Sequence, residues 1–449
     1  MAEKKYDIII IGAGPGGYRA AERAGAQGKT TLLIEKDKSL GGVCLNRGCI
    51  PTKALLNSAK IFYSAQNSQH LGVSFSGVEY DLKKAMEWKA KTVSVLTKGV
   101  DYQMRRHNVD VLTGSAKIEG QNIVSVGNQE FSAENIIIAT GSSPIKLSIP
   151  GADEANVLTS DEMLEIDRLP KDLTIIGGGV IGIEFASYFS LLGIQVSVIE
   201  FLPEILSNFD RDIAALIRSS LKGCSFITAA KVISIDKNKI TFVKDGKEES
   251  RQANLILMAV GRKPNLENLG LEAMNIDFDK SGIKVNERMQ TNISNIYAVG
   301  DVTGKSLLAH SAYRMGEVAV NTICLQKDRM RYHAIPWVVY TYPELSGVGL
   351  TEDQAKKEGR NVKVGSLQMR VNGRFLAEHG NEKGICKVVV DGDSGVLLGV
   401  TILGGVNSEI IYGAAAMIEA EFRVKDIQDI IFAHPTVSEI IKDTVLELN

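Results

Sequence analysis

Along this chain the apolar residues fall into short blocks that stop abruptly at glycine. Tyr6 to Ile11 reads as a buried strand, and it runs straight into Gly12-Ala-Gly14-Pro-Gly-Gly17. An alanine-rich helical stretch follows, and Thr30 to Ile34 forms a second strand that ends on Glu35. The same order returns 165 residues later, with Leu173 to Ile176 as strand, Gly177-Gly-Gly179-Val-Ile-Gly182 as turn, and Val196 to Ile199 ending on Glu200. Gly12, Gly14, Gly17, Gly28 and Glu35 map at that single offset onto Gly177, Gly179, Gly182, Gly193 and Glu200. Toward the C-terminus, strands such as Cys386 to Val390 alternate with long apolar helices such as Asn407 to Ala420. No apolar run is long enough to span a bilayer, so no membrane segment is expected.

The glycines of each turn have separate physical tasks. The first permits a tight turn, the second lets backbone approach a pyrophosphate, and the third lets helix and strand pack closely, with the helix N-terminus facing the phosphate charge. Glu35 lies 23 residues after Gly12, near the distance at which a carboxylate reaches ribose hydroxyls. One such turn is weak evidence; two in register, each between strand and helix, predict two bound dinucleotides. Glu200 would accept from a free 2′-hydroxyl and repel a 2′-phosphate, and Phe201, Leu202 and Pro203 supply no cation. The second unit is therefore expected to prefer NAD to NADP.

Composition narrows the class. The 449 residues exceed one ordinary core, and 51 basic against 53 acidic residues leave a net charge of -2. No dense basic run of the kind that grips nucleic acid or anionic lipid stands out. The opening residues lack the long apolar core of a secretion signal, so a cytoplasmic protein is expected. Of five cysteines, Cys224, Cys324 and Cys386 are isolated and read as small buried residues. Cys44 and Cys49 differ, because Leu40-Gly-Gly-Val-Cys44-Leu-Asn-Arg-Gly-Cys49-Ile-Pro-Thr-Lys53 follows the first unit directly. Their spacing fits neither a zinc knuckle nor a thioredoxin-type pair, no second Cys or His cluster exists, and no metal is expected. A reactive disulfide is the better reading, with a helix start helping to stabilise a thiolate. Lys53, one helical turn past Cys49, could pair with a carboxylate.

These residues resemble the pyridine-nucleotide disulfide oxidoreductases, most closely their dihydrolipoyl dehydrogenase branch. The resemblance rests on Gly-Ala-Gly-Pro-Gly-Gly-Tyr18, the Cys44 to Lys53 motif, Ile-Ala-Thr140-Gly141-Ser142 and Val260-Gly261-Arg262-Lys-Pro-Asn265. It also rests on Ile-Tyr-Ala-Val-Gly300-Asp301, Leu308-Ala309-His310 and His434-Pro435-Thr-Val-Ser-Glu439, and it covers essentially the whole chain. It implies an α/β protein with two Rossmann-like dinucleotide-binding domains and a C-terminal α+β dimerisation domain. Residues 1–147 would bind FAD and 148–263 NAD, residues 264–333 would complete the FAD site, and 334–449 would dimerise. Asp301 would take ribityl hydroxyls, the Ala309 backbone would meet the flavin ring, and Gly114 would lie near the adenine. Thr140, Gly141 and Gly261 fall within the cofactor-binding motifs, and Lys53 with Glu184 would form an ion pair beside the flavin.

His434 would be the base and Glu439 its orienting carboxylate, an assignment suited to an imidazole whose ordinary pKa lies near neutrality. In the family this imidazole reaches the dithiol of the other subunit, so a homodimer is implied. The implied reaction oxidises dihydrolipoamide carried on the lipoyl domains of 2-oxoacid dehydrogenase or glycine cleavage systems, through Cys44, Cys49 and FAD to NAD. Departures from the family pattern are Phe432, where another histidine is common, a shortened stretch at Gly223 to Phe226, and Tyr342. A glutathione-type reductase would want cations after Glu200, a mercuric reductase would want a late cysteine pair, and a scaffold subunit would not need the intact dithiol and base.

Overall fold

A computed structural model describes residues 5–380 and 382–448; residues 1–4, which contribute to the expectation of no leader, lie outside the described residues. Two compact units emerge. The first takes the N-terminal segment up to Leu55 together with Leu82–Ile145 and Gly261–Arg331; the second takes Leu56–Asp81, Lys146–Val260 and the chain from Tyr332 onward.

The first unit is built on a seven-stranded sheet. Its parallel part runs in the order Val109–Thr113, Thr31–Glu35, Lys5–Ile11, Gln129–Ile138, Ile296–Ala298. The antiparallel strands Ile123–Val126 and Ala116–Gly120 extend it. Ile8, Ile9 and Ile10 are fully buried, which is why this strand reads as continuously apolar: helices and loops cover both faces of a parallel sheet. Helices Pro15–Ala26 and Ala309–Ile323 belong to this unit, and glycine lets them nearly touch, since a Cβ on Gly316 would stand 2.6 Å from the Gly16 carbonyl oxygen.

The second unit holds a five-stranded parallel sheet in the order Cys224–Ile227, Gln195–Ile199, Asp172–Ile176, Leu255–Met258, Val157–Leu158. The shortened stretch at Gly223 to Phe226 thus still yields an edge strand. A second five-stranded sheet is wholly antiparallel, running Trp337–Val339, Leu345–Gly349, Leu397–Leu403, Ile385–Asp391, Val362–Gln368. Val388, Val400 and Ile402 pack there against Ile411 of helix Asn407–Glu419 and Ile440 of helix Glu439–Leu446. Lys387 crosses from this sheet to Asp210 at 3.3 Å and Glu352 at 3.1 Å, so the buried ammonium is matched by carboxylates. Cys386 is buried as expected, but Cys224 and Cys324 are only half-buried.

The predicted repeat is realised atom for atom. Gly12 and Gly177 both take left-handed backbone, at φ 102° and 108°, and a Cβ on either would come within 2.4 Å of a carbonyl oxygen, that of Ala139 or of Ala259. Gly17 and Gly182 are closed off in the same way by the carbonyl oxygens of Gly12 and Gly177. Only glycine meets these limits.

Candidate active site

Each glycine turn delivers a helix whose first amide groups lack a side-chain cap, and both helices, Pro15–Ala26 and Val180–Leu191, are 12 residues long. Gly14 and Gly179 stand at the cap position in extended backbone, and a Cβ on Gly179 would enter open space. Uncapped N–H groups, a helix dipole and room above a glycine are what a pyrophosphate needs. The two acidic residues also act alike. Glu35 accepts from the Ala13 N–H at 2.6 Å and the Asp37 N–H at 2.9 Å, while Glu200 accepts from the Gly178 N–H at 2.5 Å and the Leu202 N–H at 2.7 Å. Each carboxylate ties the end of its second strand to its own glycine turn, which places a negative group beside the turn.

The paired cysteines lie on the first of these turns. The Gly41 N–H donates to the Ala13 carbonyl at 2.8 Å, and a Cβ on Gly42 would strike the Gly14 Cα at 2.5 Å. Cys44 sits in the short helix Gly42–Arg47 and Cys49 opens the helix Cys49–Asn67. Gly48 joins them, and the reason for a glycine there is the chain's own doubling back: a Cβ would meet the Val43 carbonyl oxygen at 3.0 Å and the Cys44 Cα at 3.4 Å. Asn46 donates to the Leu40 and Gly42 carbonyls, and the Thr52 hydroxyl donates to the Gly48 carbonyl at 2.7 Å, so the bend is held from both sides. Neither sulfur is in a disulfide, and the two lie near disulfide distance. A hydrogen bond with Cys49, then burial, then the charge of Cys49 push the Cys44 thiol far up, against the pull of Lys53. Two sulfurs held this close can close to a disulfide or open to a dithiol.

Sequence reasoning passed over the neighbours that shape this region. Tyr18 and Tyr313 touch through their hydroxyls at 2.5 Å with rings edge to face; burial raises both phenols, and the charges of Cys44 and Cys49 add to it. Strands Ser142–Pro144 and Arg262–Pro264 pair antiparallel, which unites two motifs far apart in the chain. Arg262 donates from Nε to the Ser142 hydroxyl at 2.8 Å, and that hydroxyl donates to Asp301 at 2.6 Å. Burial raises the Asp301 carboxyl, with Ser142 and Arg262 acting against it. Thr140 and Asn265 exchange bonds, hydroxyl to carbonyl at 2.9 Å and side-chain amide to carbonyl at 2.8 Å, and the Asn265 N–H donates to Gly141. Gly261 stands in this second motif at φ 122°, and its carbonyl accepts from the Ile145 N–H at 3.0 Å. Gly114 donates to the Glu35 carbonyl at 2.8 Å, next to the first turn, and Ala309 is the first residue of an uncapped helix. Ser142, Arg262 and Asn265 lay inside quoted motifs, but their bonding was not readable without the strand pairing.

In the second unit, His434 stands 81% exposed and its Nδ1 lies 3.0 Å from Glu439, which is itself mostly covered. The other carboxylate oxygen accepts from the Thr436 N–H at 2.8 Å, and this bond followed by that of His434 holds the Glu439 carboxyl below the usual range. With Nδ1 turned to the carboxylate, Nε2 is the nitrogen left to reach outward. Glu184 accepts from the Tyr340 N–H at 3.0 Å, and Lys53 lies in the helix opened by Cys49. His379 stacks on Phe375 and pairs with Glu382, and His333 faces Glu419, so neither joins the imidazole that points outward.

A thiol pair able to cycle between disulfide and dithiol, folded onto one of two dinucleotide turns, defines a nucleotide-dependent disulfide oxidoreductase. The chain belongs to the pyridine nucleotide-disulphide oxidoreductases: the model of that family matches residues 6–316, and the model of its dimerisation domain matches residues 335–445. Relatives include a dihydrolipoyl dehydrogenase of Thermus scotoductus, 40% identical and aligned over 97% of this chain and 96% of the relative. One of Bacillus subtilis is 39% identical over 98% of each chain. Among solved structures, the HOCl-induced flavoprotein disulfide reductase RclA from Escherichia coli is similar at a TM-score of 0.87 and 29% identity, covering 99% of this chain and 100% of that one. Among the described residues no helix is long and apolar enough to cross a membrane and no cluster could hold a metal ion.

Proposed function

We propose that this chain is a dihydrolipoyl dehydrogenase, carrying electrons from protein-bound dihydrolipoamide through the Cys44/Cys49 pair to FAD and NAD. The observation that carries the reading is the thiol pair seated on the first glycine turn, in a chain 40% identical to a dihydrolipoyl dehydrogenase over almost its full length. FAD is held by Gly12, Gly14, Gly17, Glu35, Gly114, Thr140, Gly141, Asp301 and Ala309, with Lys53 and Glu184 beside it. NAD is held by Gly177, Gly179, Gly182, Glu200 and Gly261. The uncapped helix starts at both turns, and the open space at the second, fit dinucleotides. When bound, the flavin accepts the electron pair that a dithiol cannot pass to a nicotinamide directly.

The residues of the chain handle sulfur and protons. His434 of a second copy removes a proton from a dihydrolipoamide thiol, and the resulting thiolate attacks the Cys44 sulfur. The Cys44–Cys49 bond breaks and Cys49 leaves as thiolate. The second substrate thiol, deprotonated in turn, attacks the mixed disulfide, which closes lipoamide and releases Cys44. The hydrogen bond with Cys49 and burial push the Cys44 thiol up, which favours a protonated Cys44 in the reduced pair. Glu439 holds the ring with Nδ1 inward, so that Nε2 works outward. The exposure of His434 on its own chain agrees with a base that serves a partner, and the matched dimerisation domain supports a homodimer. The lipoyl domains of 2-oxoacid dehydrogenase or glycine cleavage systems are the partners we infer, and the cytoplasm the compartment.

The test is turnover of dihydrolipoamide with NAD and with NADP, for the wild type and for Cys49→Ser. The wild type is expected to use NAD at least about 100-fold better than NADP, because Glu200 repels a 2′-phosphate. Cys49→Ser is expected to keep bound flavin and lose dihydrolipoamide turnover; unimpaired turnover in this variant overturns the reading.

A further inference from the structure

A cavity of about 530 Å³ opens on the first unit and shares no residue with the site described above. Five of its seven lining residues are cations, Arg288, Arg314, Lys327, Arg329 and Arg331, against Glu287 and Asp328. That is a local excess of three positive charges on a chain whose net charge is -2. The sequence shows only the short Lys327 to Arg331 stretch; the fold adds Arg288 from a turn and Arg314 from helix Ala309–Ile323.

The walls are fixed by bonds of their own. The Arg314 fork grips Asp328 at 2.8 and 2.5 Å, and Asn321 donates to the same carboxylate at 2.7 Å. This bonding holds the Asp328 carboxyl down at about 2, so it stays charged and keeps Arg314 oriented at any physiological pH. Met330 is buried, and its N–H donates to the Glu287 carbonyl at 2.7 Å, which locks the segment carrying Arg329 and Arg331 to the turn carrying Arg288. The Arg288 N–H in turn donates to the Asn286 side chain at 2.8 Å. Arg314 and Asn321 hold Asp328, and Glu287 is the other acid among the lining residues.

We propose that this cavity binds a small anion carrying a pyrophosphate group. Several guanidinium groups lining one cavity suit adjacent phosphoryl groups, which offer paired oxygens and more than one charge, and the volume lies in the range of small-molecule sites. The pyrophosphate could be free or the tail of a nucleoside diphosphate. Because the glycine turns are separate features, occupancy here is additional to the two dinucleotides.

The experiment is calorimetric titration of the flavin-loaded enzyme with inorganic pyrophosphate and with ADP at about 50 mM salt, where exposed charges are weakly screened. It is repeated with the double variant Arg288→Ser, Arg329→Ser, whose flavin absorbance, circular dichroism and dihydrolipoamide turnover report that it has folded. The wild type should bind one pyrophosphate per chain, the variant at least about tenfold more weakly, and the affinity should fall as salt rises. A wild type to variant loss for ADP that exceeds the loss for pyrophosphate identifies a nucleotide source; equal losses identify the free anion. No saturable pyrophosphate binding by the wild type, or equal binding by the variant, overturns the proposal.

Discussion

The chemistry of single residues here is set by who shares a proton with whom. Cys44 is raised chiefly because its thiol bonds to Cys49, with burial and the charge of Cys49 behind it, and Lys53 opposing. Removing the bond should therefore lower it. In protein with its thiols reduced, Cys49→Ala is expected to move the Cys44 titration down in pH toward the ordinary 9.0, read from thiolate absorbance or the pH profile of alkylation. An unchanged profile would mean that burial, not the pair, sets this thiol. At this scale the sequence was a good guide where spacing is local, since Cys44 lies near Cys49 and His434 near Glu439 in the chain, but the doubling back that requires glycine at 48 appeared only in the structure. The sequence was silent on the Arg262, Ser142, Asp301 relay and on Tyr18 with Tyr313, whose members stand 120, 159 and 295 residues apart. Such pairs depend on which strands and helices end side by side, and no local pattern records that.

At the scale of elements, the two strand, turn and helix units were legible because their constraint is steric and local. A left-handed glycine against a carbonyl oxygen leaves one residue type able to occupy the position, at Gly12 and again at Gly177. Gly179 differs in a useful way. Its φ of -75° is open to any residue, and a Cβ there would meet no protein atom within 4 Å. The fold therefore has no need of glycine at this position, which is where the proposed nucleotide would approach the backbone. Gly179→Ala is expected to fold with unaltered thermal stability and bound flavin, while the KM for NAD rises on the order of tenfold or more, as expected where backbone must approach a pyrophosphate closely. Wild-type KM in this variant would show that the second turn does not hold the nucleotide. The strand at Cys224–Ile227 shows where element reading lost precision: a shortened connection still pairs with Gln195–Ile199, because a parallel edge strand needs only one neighbour.

For the whole molecule, the α/β architecture followed from the repeat, whereas the charge map did not. Near-neutral composition gave no hint of five cations around one cavity, since their positions come from a turn, a helix and a loop. The proposed composite site came only through the resemblance; what the fold adds is a His434 ring oriented by Glu439 and left 81% exposed, as a base serving a neighbour would be. The central claim is that the dithiol of one protomer works with the imidazole of the other. Co-expression of Cys49→Ser chains with His434→Gln chains examines it most directly, since a mixed dimer carries one site with both defects and one with neither. Each variant alone should turn over dihydrolipoamide at a small fraction of the wild-type rate, and random pairing should restore about a quarter of it. Co-expressed protein no more active than the two variants separately would contradict a site shared between protomers.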